Sequence, residues 1–80
     1  MEDYKVKYQL LGSREQVTAW MDRERAVKRF EELKKGGKCI WAEILHSPLD
    51  EEESFFGERV VDRFTNRVVE VLGMEMVVPA

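Results

Sequence analysis

Val60-Val61-Asp62-Arg63-Phe64-Thr65-Asn66-Arg67-Val68-Val69-Glu70-Val71 is the stretch on which the fold turns. Val61, Phe64, Val68 and Val71 recur at a three-four-three spacing, the signature of one face of a helix. Valine, however, is a poor helix former and a good strand former. The same residues therefore also support a β-hairpin, with Val60–Phe64 and Arg67–Val71 flanking Thr65-Asn66. We give the spacing more weight and expect one or two helices across 48–72, the second case broken at Gly57, with Gly73 as the stop. Met74–Val78 then reads as a short strand or docked tail ended by Pro79.

Upstream of this stretch the chain is easier to read. Tyr4, Val6, Tyr8 and Leu10 alternate with Lys5, Lys7 and Gln9, the period of a half-buried strand. Gly12 lies in the break that follows, and Gln16–Met21 resumes β character, which makes an antiparallel hairpin. Asp22 is a helix N-cap, because its carboxylate can accept from a free backbone N–H of the first turn. Ala26, Val27, Phe30 and Leu33 form an apolar stripe behind it. Glu24 with Lys28, and Glu31 with Lys35, are acid-before-base pairs four apart. Gly36-Gly37 ends the helix, which is expected over 22–35. Lys38–His46 is a third strand, with Ile40, Ala42 and Ile44 on one face and Cys39, Trp41, Glu43 and Leu45 on the other. Trp41, Leu45 and Trp20 make that second face apolar enough to require a cover. The C-terminal helix, opened by Ser47-Pro48-Leu49-Asp50 with its Ser cap and Pro at the first position, is the expected cover. The expected fold is thus α+β, a small, mostly antiparallel sheet in the order β-β-α-β with C-terminal helix or helices, the alternative being a C-terminal β-hairpin.

Size and composition set the bounds. Eighty residues and 9.4 kDa allow one compact domain spanning 1–80. Charged residues at 36% exclude a membrane protein, and apolar residues at 44% exclude a disordered chain. One cysteine, Cys39, cannot form an internal disulfide, which fits a reducing compartment; the N-terminal residues lack the apolar stretch of a secretion signal. A cytoplasmic protein is expected.

The chemistry is sparse. His46 beside Ser47, with acids downstream, is the nearest approach to a catalytic or metal-binding cluster, but no ligand spacing accompanies it. Lys38 next to Cys39 is too little to make a reactive thiol. Gly36-Gly37-Lys38 closes a helix, whereas a phosphate loop opens one. Tyr4, Tyr8, Trp20 and Trp41 hint at a base-stacking sheet, but the glycine and aromatic pattern of an RNA-recognition motif is absent. No cofactor and no metal ligand set is called for.

Charge is unevenly spread. Asp22–Lys38 carries seven basic and four acidic residues, whereas Glu43–Asp62 carries seven acidic and one basic, in a chain of net charge −3. Asp50, Glu51, Glu52 and Glu53 are consecutive, and two acids would complete the cap and the helix dipole. The excess resembles a steering surface for a basic protein partner, with Phe55 and Phe56 as adjoining apolar anchors. The leading expectation is a small non-catalytic cytosolic regulator or inhibitor that acts through this surface. The alternative is a nucleic-acid-binding accessory protein that touches phosphates through Arg14, Arg25, Lys28 and Arg29. A small metal-dependent or hydrolytic enzyme ranks third. If 48–72 does not fold back on the sheet, the Val61/Phe64/Val68/Val71 stripe calls for a partner, and a two-fold homodimer is the commonest closed solution.

Overall fold

A computed structural model describes residues 2–47 and 57–80. It begins with β1 (Tyr4–Leu10) and β2 (Glu15–Val17), an antiparallel pair in which Lys7 faces Val17. β2 is short because Thr18 departs from the ladder. Its backbone N–H still donates to the Val6 carbonyl, but the Val6 N–H is taken by the Thr18 hydroxyl at 3.0 Å. The chain returns to the sheet at Met21, which bridges Tyr4.

Helix α1 (Arg23–Lys35) follows. Asp22 is its cap, and the Asp22 carboxylate accepts from the Arg25 N–H at 2.8 Å. Ala26, Phe30 and Leu33 are buried on one side, as the spacing implied, while Val27 stays exposed. Gly37 adopts φ 75, the left-handed conformation that reverses the chain after the helix. β3 (Cys39–His46) then returns antiparallel to β1, and α1 packs across both strands.

The C-terminal third overturns the expected fold class. The region read as helix contains β4 (Arg59–Thr65) and β5 (Arg67–Val71), followed by β6 (Met74–Val78). Among the described residues the chain is mostly β, with one helix, α1, in the middle and a β-hairpin at the C-terminal end. Nor do the segments on either side of Thr65-Asn66 pair with each other. β4 joins the main sheet beside β3, giving the order β2-β1-β3-β4, whereas β5 pairs with β6 in a separate two-stranded sheet. Tertiary pairing decides this outcome. β3 offers a free edge, and the β-branched run satisfies it with cross-strand partners such as Ala42↔Phe64 and Ile44↔Asp62. The stripe read as one helix face is consequently divided: Phe64 packs on the core, Val61 is exposed on β4, and Val68 and Val71 lie on opposite faces of β5. The expected helix start at Ser47-Pro48-Leu49-Asp50 lies outside the described residues from Pro48 onward.

The core sits between α1 and one face of the sheet: Val6, Tyr8, Ala26, Phe30, Leu33, Cys39, Ala42 and Ile44, with Tyr4, Leu10, Met21 and Phe64 against it. Phe30 and Phe64 meet edge to face, 5.2 Å between ring centres. Cys39 in this cluster corrects the expected alternation of β3. The ladder shifts between Gln9 and Leu10, so that Gln9 faces Trp41 but Leu10 faces Cys39. The bulge moves Cys39 to the helix side. On the opposite face the cross-strand row Lys7, Glu43, Arg63 is ionic: Lys7 binds Glu15 at 2.8 Å, and Arg63 lies 3.6 Å from Glu43. The indole N–H of Trp41 donates to Gln9 Oε1 at 3.1 Å.

Candidate interaction surfaces

Hairpin β5–β6 is built by a two-residue turn, Leu72-Gly73, with φ 52 and 78. Two consecutive positive φ values define the type I′ turn, whose twist suits a hairpin and whose usual residues are Asn-Gly. Here the first position is leucine, and it is 98% exposed. The register places Val69 opposite Met76, Val71 opposite Met74 and Arg67 opposite Val78, which collects five apolar side chains on one face. Val71, Met74 and Met76 are all exposed there, Met74 at 68%. On the other face Val68 opposes Val77, and Glu70 opposes Glu75. Like charges directly across a ladder repel.

The hairpin stands off the sheet. β5 and β6 make their substantial contacts only with each other among the described elements. The molecule measures 52 × 21 × 19 Å, with a radius of gyration of 14.4 Å. A compact domain of this length has about 12 Å. Asn66 is the tether: its N–H donates to the Ile40 carbonyl at 2.7 Å and its side-chain amide to the Cys39 carbonyl at 3.0 Å. The hairpin thus leaves the sheet at the end marked by Leu10, Cys39 and Thr65.

At the other end lies an open cleft of about 470 Å³, between the Thr18–Met21 segment and the first turns of α1. Trp20, 41% exposed, forms part of its wall, and Arg25, Lys28, Arg29 and Glu32 line the helix side. Arg25 is 3.6 Å from Asp22, and Arg29 is 3.9 Å from Glu32 and lies over the Tyr8 ring. Lys28 has no carboxylate within ion-pair distance among the described residues. Trp20 also carries the Lys5 ammonium 4.6 Å above its ring.

Of the basic residues singled out from sequence, the fold brings Arg25, Lys28 and Arg29 together and leaves Arg14 apart, in the β1–β2 connection at the far end of the sheet. Asp50, Glu51, Glu52, Glu53, Phe55 and Phe56 lie outside the described residues. His46 is paired with Asp3, Nε2 to Oδ2 at 2.8 Å, and stacks on Tyr4 at 4.5 Å, which ties the N-terminal strand to the end of β3. The Cys39 thiol is buried, donates to the Trp41 carbonyl at 3.1 Å, and has its pKa raised chiefly by that burial. Among the described residues no group of three or more His, Cys, Asp and Glu side chains is placed to hold a metal ion, and no helix is long and apolar enough to cross a membrane.

The hairpin escaped sequence reading because its first strand was taken for helix. The signal available was the alternation of Val69 and Val71 with Glu70, mirrored by Met74 and Met76 around Glu75, on either side of Leu72-Gly73. Comparison with protein-family models, with curated proteins and with solved structures finds no match to this chain.

Proposed function

We propose that this chain is a small, non-catalytic interaction protein of the cytoplasm that binds a protein partner through hairpin β5–β6. The observation that carries the reading is the hairpin's apolar face, Val69, Val71, Met74, Met76 and Val78, on which Val71, Met74 and Met76 are exposed and to which no other described element makes substantial contact. An isolated two-stranded hairpin is marginal in water unless it packs on something. Contiguous exposed apolar surface on a soluble domain marks a contact site. The reducing compartment rests on the single cysteine, which has no partner within the chain.

The test compares the wild-type chain with a Val71→Lys/Met74→Lys variant as immobilised bait, quantifying both host proteins and added untagged chain. Proteins held by the wild type and lost by the variant support the reading. Identical retention by both baits overturns it.

The grouping of Arg25, Lys28 and Arg29 beside an exposed Trp20 favours a second reading, single-stranded nucleic acid stacked on the indole with phosphates on the helix. Net charge and the carboxylates next to two of the three cations weigh against it. Mobility shift at two salt concentrations separates the readings, because phosphate contacts give a steep salt dependence.

A further inference from the structure

Resting on the hairpin as contact surface, we infer that its partner is a second copy of this chain, and that the tip of each hairpin seats in the Trp20 cleft of the other protomer. Three observations converge on this occupant. The tip and the cleft are complementary: Leu72 is almost fully exposed on a turn closed by Val71 and Met74, with Glu70 and Glu75 one pair further back, while the cleft has an indole wall and three cations, Arg25, Lys28 and Arg29, against one carboxylate, Glu32. Each side carries an uncompensated feature that the other resolves. Glu70 and Glu75 repel across the ladder, and Lys28 makes no ion pair among the described residues. A cation placed beside the glutamate pair converts that repulsion into attraction. The leucine, in turn, is held almost fully exposed in a backbone conformation that asparagine or glycine adopts more easily, and backbone strain of this kind clusters at ligand clamps and other contact sites.

The third observation is placement. The cleft lies at the end of the sheet where Met21 bridges Tyr4, and the hairpin departs from the opposite end, beyond Cys39 and Thr65. A protomer's own hairpin is therefore directed away from its own cleft along the molecule's 52 Å length. Two copies side by side with their long axes antiparallel bring each hairpin to the other's cleft. That arrangement is a closed two-fold pair in which both contacts form at once. The head-to-tail alternative satisfies the same contacts one at a time and grows open filaments.

Sedimentation of the purified full chain from low to high micromolar concentration, at two salt concentrations, tests the inference. The expected result is a monomer–dimer equilibrium that weakens with salt. Leu72→Asn, Lys28→Glu and Glu75→Lys are each expected to weaken it at least about tenfold. The Lys28→Glu/Glu75→Lys double variant is expected to recover most of the loss. All these positions are on the surface, and an unchanged unfolding midpoint of the dilute monomer confirms that each variant is folded. A chain that stays monomeric throughout overturns the second copy as partner. If hairpin-dependent capture of a different protein persists in that case, the interaction reading survives alone. A dimer indifferent to the charge variants overturns the seating, and salt-sensitive polymers in place of a dimer overturn the closed pair. Lys28→Glu altering only nucleic-acid retention in a monomeric chain assigns the cleft to nucleic acid and also overturns the inference.

Discussion

Leu72 sits in the left-handed region at φ 52, where its Cβ crowds the following carbonyl at a cost of about 1–2 kcal/mol. Asparagine tolerates that region and is the preferred first residue of the turn that Gly73 completes. Leu72→Asn is therefore expected to make hairpin opening rarer by about fivefold, equivalent to about 1 kcal/mol. Amide hydrogen exchange in β5 and β6 of the monomer reads this directly, and faster exchange in the variant contradicts the strain. Cys39 gives a second prediction at this scale. Its folded pKa is raised, first by burial, with the backbone at Gln9 and Trp41 opposing the shift in part. An unfolded thiol titrates near about 8.5. The stabilisation from keeping this thiol protonated is complete below that value and is lost as pH rises towards the folded pKa. Denaturant midpoints are thus expected to fall from about pH 8 upward, and less steeply in Cys39→Ala. Lys7, raised mainly by its hydrogen bond to Glu15, declines in the same direction but in the higher lysine window.

At the scale of elements, α1 is the piece whose stability is easiest to apportion. Asp22→Ala leaves the Arg25 N–H without its acceptor and is expected to cost about 1 kcal/mol. Phe30→Ala is expected to cost about 3–5 kcal/mol, because Phe30 is 2% exposed and its ring also holds Phe64 of β4. A denaturation midpoint close to wild type would place Phe30 outside the core. The helix was legible in the sequence because each of its signals is local: the Asp22 cap, the apolar stripe, the i,i+4 pairs and the glycine stop. β1 and β3 were legible from period-two alternation, but the bulge that turns Cys39 inward was not, since it arises from the pairing of two strands distant in sequence. β4 and β5 were misread for a related reason. A three-four-three spacing accumulated across two strands and the intervening Asn66 imitates a helix face, and only the free edge of β3 distinguishes them. Of the basic residues singled out in the sequence as a phosphate contact, Arg25, Lys28 and Arg29 share one cleft because they lie about a turn or less apart on α1, whereas Arg14 belongs to another connection. The hairpin face was hidden behind the helical reading of its first strand.

Taken as one molecule, the chain divides its labour between two ends of a long axis. Among the described residues the α1–sheet body contains every member of the buried core cluster, and Phe64 is the last in sequence to pack against it. β5 and β6 contribute turn, ladder and exposed apolar surface, but no core. Deleting everything after Asn66, the residue whose two hydrogen bonds close the sheet against Cys39 and Ile40, removes no core packing. The shortened chain is expected to unfold cooperatively, with a free energy within about 0.5 kcal/mol of the wild-type monomer, the range of substitutions that leave packing untouched. Its radius of gyration is expected to fall from 14.4 Å to about 11 Å, the value for a compact chain of its length. Scattering and denaturant titration of dilute samples measure both quantities. Body and hairpin then respond separately: truncation abolishes association while leaving the fold intact, whereas Phe30→Ala unfolds the body whatever the hairpin does. A truncated chain that loses cooperative unfolding would mean that the hairpin stabilises its own body. The case for an outward-facing contact element would fall with it, because the apolar surface of β5 and β6 would then serve the protomer that carries it.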